Sequence, residues 1–279
     1  PLSTFEAIRA GAMLNNATLA GAHHVVRLVH DHQQTSLLLH LEFGSITFLG
    51  NGTWTETGSR SSLPALTTAP YSRSGTYNVQ PNGTLDIGGI ANGAVAATGE
   101  IASWIEASGN TTAWAGAVRQ GSQRSAGDLV GTWGFVGHAL ESDSPPVVDY
   151  CQSETGEIVA SVITPVSAAF TVASRERDQW QSWWGVTHGA LDLVLDPAVA
   201  PGRYDIHIGN ELLANAGAVS TSGNYLIHAI RGIDAVQQEG YLLMHVGLRK
   251  APWPLPYGTG TRGTGGLRPS LDGTGGYPL

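Results

Sequence analysis

Apolar and polar residues alternate with a period of two in many short segments of this chain. In SGTYNVQPNGTLDIG, residues 74–88, the apolar residues on either side of the Asn82-Gly83 pair stand at alternate positions: Tyr77, Val79, Leu85 and Ile87. Such alternation gives a strand one apolar and one polar face, and Asn-Gly is typical of a type I′ hairpin turn. The segment is predicted to be an antiparallel hairpin with one face toward a core.

The same alternation recurs along most of the chain and predicts an all-β fold of antiparallel, meandering β-barrel or sandwich units. The predicted strands lie in 23–43, which turns at 33–36, and in 45–58, 94–118, 157–172, 189–196, 202–209, 222–230 and 240–248. A short helix is predicted over 3–14, within an N-terminal segment 1–14, because Phe5 and Ile8 share a helical face. A second short helix is an alternative for 174–184.

The two halves of the chain share three similar segments in the same order. Each pair combines glycine with alternating apolar residues. The pairs are 19–30 with 129–140, 75–85 with 202–212, and 108–119 with 222–231. The first pair is spaced by 129 − 19 = 110 residues. Repeats of this kind predict an internal duplication. The first β unit is expected at 15–125 and the second at 126–250.

The second unit begins with LVGTW, residues 129–133, which resembles the Gly-x-Trp strand that opens lipocalin-like (calycin) β-barrels. In that family the tryptophan closes one end of the barrel and packs against a basic residue of the last strand. The resemblance therefore implies that Gly131 and Trp133 lie at a closed barrel end, with Arg249 against Trp133. The first unit departs from the pattern, because LAGAHH has no tryptophan. The resemblance implies an up-and-down barrel and names no ligand.

Composition limits the classes of partner. Of 279 residues, 42% are hydrophobic and 13% are charged, and the formal net charge is −8. An acidic chain lacks the basic surface that binds nucleic acid or anionic membranes. No apolar run approaches the roughly 18 residues of a membrane span. Cys151 is the only cysteine, so neither an intrachain disulfide nor a CxxC metal site can form. No cofactor or metal is predicted.

Four Asn-x-Thr sequons are glycosylation candidates in a secreted protein: Asn16, Asn51, Asn82 and Asn110. Asn-Gly-Thr is also typical of a tight hairpin. The expectation is a secreted or extracytoplasmic protein, with a cytoplasmic location as the alternative.

The tail 251–279 is rich in glycine and proline and has no periodicity. Prolines at alternate positions prevent a central strand. The tail is predicted to be either a poorly ordered extension or an arm that contacts its own barrel or a neighbouring copy. In the second case its anchors are Trp253, Tyr257 and Tyr277, and the protein is a homo-oligomer.

Histidines are the main candidates for chemistry, since the chain has no nucleophile elbow, Walker loop, dinucleotide fingerprint or His-Glu-x-x-His motif. His30 and His32 share an otherwise apolar strand face, where they could bind a metal or act as acid and base on a ligand inside the barrel, or simply lie at the rim. His228 shares a face with Leu226 and Ile230, as buried histidines do, and is the third catalytic candidate. The predicted ligand-binding residues are aromatic: Trp133, Tyr77, Tyr204, Trp114 and Trp184.

Two functions fit this sequence. The first is a cofactor-independent isomerase, cyclase or lyase that binds and transforms an apolar small molecule in an interior pocket. Such a site needs mainly shape, a few hydrogen bonds and one acid or base, so the missing motifs do not exclude it. The alternative is a non-enzymatic protein, either a secreted ligand carrier or a surface assembly protein whose C-terminal tail contacts its neighbours.

Overall fold

The computed structural model describes residues 13–33, 36–62, 67–89, 92–121, 125–143, 147–177, 182–193, 202–208, 211–212, 216–233 and 240–250. The described chain is built from antiparallel β-strands and two short 3₁₀ helices, which confirms the predicted all-β class. The predicted N-terminal helix over 3–14 and the tail 251–279 lie essentially outside the described residues.

The first sheet begins after a 3₁₀ helix at Asn16–Leu19 and closes into an eight-stranded barrel in which neighbours in sequence are neighbours in space. Its strands are β1 Gly21–Gln33, β2 Ser36–Phe48, β3 Thr53–Ser62, β4 Thr67–Val79, β5 Thr84–Ile87, β6 Asn92–Val95, β7 Ile101–Ser108 and β8 Thr111–Arg119. Pairing of β8 with β1 closes the ring. This is the up-and-down barrel topology.

The second sheet follows a 3₁₀ helix at Ala126–Asp128 and repeats that order. Its strands are β9 Gly131–Asp143, β10 Val147–Thr164, β11 Ser167–Arg177, β12 Ser182–Leu193, β13 Arg203–Ile208, β14 Glu211–Leu212, β15 Ala216–Val219, β16 Tyr225–Ile233 and β17 Gly240–Arg249. β17 pairs with β9, and β12 also pairs with β13, which joins the two ends of the sheet. The two-residue β14 is an addition beside β13.

The duplication is clearest where each barrel begins. Leu19 is the last residue of its 3₁₀ helix and Leu129 directly follows the other, and both are fully buried. Two residues later Gly21 and Gly131 have φ values of +122° and +130°, a conformation that favours glycine. The spacing of 110 residues predicted this correspondence, and it places His23 where the second barrel has Trp133.

Backbone hydrogen bonds further along show how the other strands correspond. The same three bonds occur in each barrel: Val95 N to Gly83 O and Val219 N to Gly202 O, Gly99 N to Ala96 O and Gly223 N to Ser220 O, and Arg119 N to Glu100 O and Arg249 N to Asn224 O, all between 2.7 and 2.9 Å. They make β13 the counterpart of β5, and 220–223 the counterpart of 96–99.

Two of the three predicted segment pairs are therefore wrong in detail. Tyr77 lies on β4, the fourth strand of its barrel, whereas Tyr204 lies on the fifth. Ser108 begins the turn after the seventh strand, whereas Ser222 lies in the turn before it. Turn residues such as glycine and asparagine recur at every hairpin, so short similarities of this kind can join turns that are not equivalent.

Two local predictions also change. The hairpin at 74–88 forms, but Gly83 N donates to Gln80 O at 2.9 Å, so Pro81 and Asn82 occupy the centre of a β-turn and Gly83 follows at φ +85°. The connection is thus longer than a two-residue type I′ turn. The alternative helix over 174–184 is wrong, because β11 extends to Arg177 and β12 begins at Ser182. Hydrogen bonding of β11 to the strands on either side outweighs the local helical propensity there.

A shared apolar core joins the two barrels. Outward-facing residues of the first barrel pack against those of the second: Val26, Leu28, Leu41, Ile101 and Val118 against Ala218, Ile227, Ala229, Leu242, Met244 and Val246. A Cβ at Gly116 would lie 2.9 Å from Cε of Met244, so this glycine lets the methionine rest on β8. Arg203 of the second barrel lies over Phe43 of the first, at 4.6 Å from the ring centroid.

Candidate functional site

The interior of the first barrel is divided into an apolar half and a charged half. Residues beside the 3₁₀ helix form the apolar half, which includes Phe48, Trp54, Tyr77 and Leu85. This end is sealed, because Tyr77 OH donates to Asn16 O at 2.8 Å and the Arg119 guanidinium donates to Thr18 O at 2.7 Å. The charged half lies toward the other end of the barrel, which we term the mouth, where β1, β3 and β7 end.

Six charged side chains, one tyrosine and one tryptophan form the charged half, which we term the charged cluster. They come from five strands, at positions that the strand pairing places on the inner face: Arg27 on β1, Glu42 on β2, Glu56 and Arg60 on β3, Tyr71 and Arg73 on β4, and Trp104 and Glu106 on β7.

Arg27 is the centre of the buried part of the cluster. Its Nη1 donates to Glu56 Oε1, and its Nε donates to Glu106 Oε1 at 2.9 Å. The guanidinium lies over Trp104, 5.1 Å from the ring centroid, and the indole N–H of Trp104 donates to Glu106 Oε1 at 2.6 Å. Arg27 is thus held on two sides by carboxylates and on a third by an aromatic face.

Arg60 and Arg73 supply the remaining positive charges. Arg60 donates to Glu42 Oε1 through Nε at 2.8 Å and through Nη2 at 2.6 Å. Arg73 donates to Glu42 Oε2 and, at 3.3 Å, to Glu56 Oε1, which also accepts the Tyr71 hydroxyl proton at 2.6 Å. Glu42 therefore bridges two arginines and Glu56 bridges two arginines and Tyr71, so the ion pairs form one network.

Exposure within this network increases toward the mouth. The side chains of Arg27, Glu42 and Glu56 are fully buried, whereas Arg60, Arg73 and Glu106 are 43%, 28% and 27% exposed. A solute that enters the mouth can reach the last three directly. Among the described residues, three buried atoms deeper in the cluster have no hydrogen-bond partner: Arg27 Nη2, Arg73 Nε and Glu56 Oε2.

The network keeps Arg27 and Glu106 charged. Burial alone would raise the pKa of Glu106, but Arg27, the Trp104 indole and Arg73 outweigh burial and hold that pKa below its usual value. Burial likewise opposes the charge of Arg27, yet Glu56 and Glu106 raise its pKa above the usual value. Burial and the Glu56 carboxylate raise the pKa of Tyr71, which stays protonated and donates. Arg27 and Glu106 are thus charged, and Tyr71 is neutral.

Sequence reasoning missed this cluster because it assigned the polar face of each strand to solvent. Arg27 stands in alternation with Val25 and Val29, and Glu56 alternates with Trp54 in the same way, so both belong to the face that also carries core residues. A charged residue that alternates with apolar residues on several neighbouring strands could have indicated this cluster.

The predicted residue His30 lies on the outer side of β1, and the side chain of His32 lies outside the described residues. Strand pairing puts His30 opposite Leu39 and His32 opposite Leu37, as the turn at 33–36 predicted. That face is the outer one, because Val26 and Leu28 on it pack against the second barrel. His30 therefore does not face the interior of its barrel, and its catalytic role stays a prediction without support from its position.

His228 lies in the core of the second barrel, beside Leu226 and Ile230 as its pattern indicated. Its Nε2 is 2.6 Å from Nδ1 of His245, and its Nδ1 is 3.4 Å from the Tyr204 hydroxyl. Burial lowers the pKa of His228 well below its usual value, with a further contribution from His245, and burial lowers the pKa of His245 to about 3. Both rings are therefore neutral near neutral pH.

Two glycines make room for this group. A Cβ at Gly137 would lie 2.2 Å from Cδ2 of His245, and a Cβ at Gly217 would lie 2.0 Å from the Tyr204 ring. Phe135 covers the other side of His245, with ring centroids 4.2 Å apart. The histidine pair is thus enclosed by aromatic and apolar groups.

The other predicted aromatic residues are distributed over both barrels. Trp133 is fully buried, donates its indole N–H to Leu129 O at 2.9 Å and lies under Arg249, whose guanidinium carbon is 4.6 Å from the ring centroid. Tyr77 seals the first barrel, as described above. Trp114 faces the second barrel, 6.3 Å from the His138 ring. The side chain of Trp184 lies outside the described residues. The predicted site residues are therefore not brought together in one cavity.

The sequon asparagines have structural contacts. Asn51 Oδ1 accepts from Thr53 N at 3.0 Å and Asn82 Oδ1 accepts from Thr84 N at 3.0 Å, so both form Asx turns inside hairpins. Asn16 Oδ1 accepts from Val79 N at 2.7 Å. Asn51, Asn82 and Asn110 are exposed, and glycosylation stays a prediction.

In the described part of the chain, no three His, Cys, Asp or Glu side chains are grouped so that they could hold a metal ion. The described residues also contain no helix that is long and apolar enough to cross a membrane.

Comparisons with known proteins find a likeness among solved structures. No protein-family model matches the chain, and no curated protein matches it significantly. Among solved structures, the chain is similar to the crystal structure of a protein of unknown function of the DUF3598 family from Nostoc punctiforme PCC 73102. The identity is 12% and the TM-score is 0.29, with 84% of this chain and 98% of that chain covered. At that TM-score the likeness carries no argument about function.

Proposed function

We propose that this protein binds a small molecule in the charged half of the first barrel. The observation that carries the proposal is the charged cluster itself, which runs from fully buried Arg27 and Glu56 to partly exposed Arg73 and Glu106 at the mouth. Buried ion pairs of this kind contribute little stability compared with apolar packing, so a network of six charges is better explained by a ligand than by the fold.

The shape of the barrel supports the same site. One end is sealed by the 3₁₀ helix and its hydrogen bonds, and the opposite end leads to the partly exposed arginines. Two inward-facing side chains near the mouth, Ala113 and Ser62, are small. The calycin resemblance of the sequence agrees with a barrel that holds a ligand in its interior.

The ligand proposed here carries polar groups, unlike the apolar molecule expected from the sequence. Arg60, Arg73 and Glu106 are the groups that it meets first, and they offer both donors and an acceptor. Its apolar part would lie against inward-facing side chains beside the cluster, such as Val29 and Ala113. This role corresponds to a ligand-binding protein, and a secreted location stays part of the same proposal.

The test is an NMR titration of the full-length chain with a library of small polar and apolar fragments. The reporter is the indole N–H of Trp104, which donates to Glu106, and the matched control is the indole N–H of Trp133 at the sealed end of the second barrel. Fragments that bind are expected to shift Trp104 and leave Trp133 unchanged. Binding that shifts only Trp133, or no binding at all, would contradict the proposal.

A second candidate function uses the histidine pair. His228 and His245 are neutral, lie 2.6 Å apart and sit among Phe135, Leu226 and Ile230, so a proton could pass between them in an apolar environment. This arrangement favours the isomerase or cyclase chemistry expected from the sequence, on an apolar substrate within the second barrel. In the same titration, apolar fragments would then shift the ring signals of His228, and a His228→Gln variant would lose that response.

A further inference from the structure

His40 and Ser62 lie opposite each other on β2 and β3, one row nearer the mouth than the Glu42–Arg60 pair. His40 Nδ1 is 2.7 Å from Ser62 Oγ, and both side chains are partly exposed. This distance lies within the range of about 2.6–3.2 Å at which a base activates a hydroxyl nucleophile. The pair therefore has the geometry of a nucleophile and its general base, at a place that a solute can reach.

The environment of His40 keeps its ring unprotonated, as a general base requires. Burial lowers the pKa of His40, and the positive charge of Arg60 lowers it further, while Glu42 and Asp31 oppose both effects. His40 is consequently neutral near neutral pH, with a ring nitrogen free to accept a proton from Ser62. Asp31 lies on β1, two residues beyond Val29, the residue that pairs with His40. A carboxylate in this position stabilises the imidazolium that forms when the proton moves.

We propose that Ser62 and His40 form a catalytic dyad that hydrolyses small esters at the mouth of the first barrel. The proposal rests on the proposed function, because the ester would enter the same mouth of the first barrel as the proposed ligand. Ser62 Oγ attacks the ester carbonyl carbon while His40 Nδ1 takes the hydroxyl proton. The carbon–oxygen bond to the alcohol then breaks, and His40 returns the proton to the leaving alkoxide.

The second half of the reaction restores the serine. A water molecule attacks the acyl group on Ser62, and His40 accepts a proton from that water. The bond to Ser62 Oγ breaks, the acid is released, and His40 returns the proton to Oγ. No oxidant, reductant or cofactor is required, and water is the only co-reactant.

Arg60 supplies the positive charge nearest to the reacting carbonyl. It stands two residues before Ser62 on the same face of β3, and its side chain is 43% exposed. A fixed cation beside the carbonyl stabilises the negative charge that develops on its oxygen. The acyl group is short, because the Glu42–Arg60 pair lies in the row directly below the dyad.

The test uses a fluorophosphonate probe, which reacts with activated serines, followed by peptide mass spectrometry of the full-length chain. The variants are Ser62→Ala and His40→Gln, and the matched control is Ser72→Ala, which removes an exposed serine of β4 in the same barrel. Label is expected on Ser62 in the unmodified chain and in the control. Ser62→Ala abolishes it, and His40→Gln slows it at least about 100-fold.

Hydrolysis of p-nitrophenyl acetate gives a second readout. Its rate is expected to rise with pH as His40 loses its proton, with a midpoint below that of an unperturbed histidine, and both active-site variants remove this profile. Label on other serines alone, or rates unchanged in His40→Gln, would overturn the dyad. If the dyad fails while fragments still shift the Trp104 indole, the ester chemistry is wrong and the binding site stands.

Discussion

Arg249 lies over the indole of Trp133, with its guanidinium carbon 4.6 Å from the ring centroid, and the two residues pair across β17 and β9. Arg249 also donates to Asp128 O, in the 3₁₀ helix that closes the second barrel. The first barrel keeps the arginine but replaces the tryptophan, because Arg119 pairs with His23 and donates to Thr18 O in its own 3₁₀ helix. Both barrels thus use one arginine to tie the first strand, the last strand and the closing turn together.

Trp133→Ala should therefore lower the free energy of unfolding by about 3–5 kcal/mol, since it removes a fully buried aromatic side chain and leaves a cavity under Arg249. Chemical denaturation measures the loss. Val159→Ala, on a side chain that is 49% exposed, is the control and should change stability by less than about 0.5 kcal/mol. Equal stability of the two variants would show that Trp133 does not hold the barrel end.

Removing one partner of a buried ion pair should lower the free energy of unfolding much more than removing one partner of an exposed ion pair. Arg27→Met leaves the buried Glu56 without its main partner and should cost about 3–5 kcal/mol. Lys250→Met removes one partner of the exposed pair with Glu157, whose two side chains are 41% and 48% exposed, and should cost no more than about 1 kcal/mol. The double variant Arg27→Met/Glu56→Gln should recover part of the first loss, which a double-mutant cycle detects. Additive losses would argue against a coupled network.

Acid should destabilise the protein through three buried histidines. Burial lowers the pKa of His23 to about 4 and of His245 to about 3, and lowers that of His228 as well. The unfolded chain binds protons below about pH 6.5, where the folded chain does not, so stability falls as the pH drops below that value. Each histidine contributes about 1.4 kcal/mol per pH unit in this window.

Urea denaturation between pH 5 and 7, with the histidine ¹³Cε1 shifts recorded in parallel, measures this effect. We expect the midpoint to fall with pH while His228 and His245 stay neutral in the folded chain. Histidine signals that titrate near pH 6.5 in the folded chain would contradict the burial argument.

Gly137→Ala should destabilise the second barrel by about 1–3 kcal/mol, because the new methyl group would overlap the His245 ring at 2.2 Å. Gly134 offers a matched control on the same strand, since a Cβ there meets only the flexible Lys250 side chain at 3.2 Å. Thermal melting of the two variants compares them. Equal melting temperatures would mean that the histidine pair can move aside at little cost.

Much of the fold followed from local patterns, because alternation and turn residues act over a few positions. The pairing of His30 with Leu39 and the place of Arg249 against Trp133 both agree with the sequence reasoning. Which face of β1 lies inside could not be deduced from one strand, because both faces carry apolar residues: one meets the barrel interior and the other meets the second barrel. The assignment of His30 to the interior failed for that reason.

The candidate site was harder to predict, because its members come from distant parts of the sequence. Closure of the first barrel brings together Arg27 on β1, Glu56 on β3 and Glu106 on β7. His40 and Ser62 likewise meet through the register of β2 and β3, and no short motif contains both. Barrel closure is a global property, so the convergence of these side chains requires the structure.

The most direct test of the binding role is native mass spectrometry of the protein purified from its own host, compared with the variants Arg73→Met and Arg203→Met. Arg73 belongs to the charged cluster, whereas Arg203 lies between the barrels against Phe43. We expect a non-covalent small molecule on the unmodified chain and on Arg203→Met, and its loss or marked reduction on Arg73→Met. A ligand-free unmodified chain, or a ligand retained equally by Arg73→Met, would contradict the proposal that the charged half of the first barrel is the binding site.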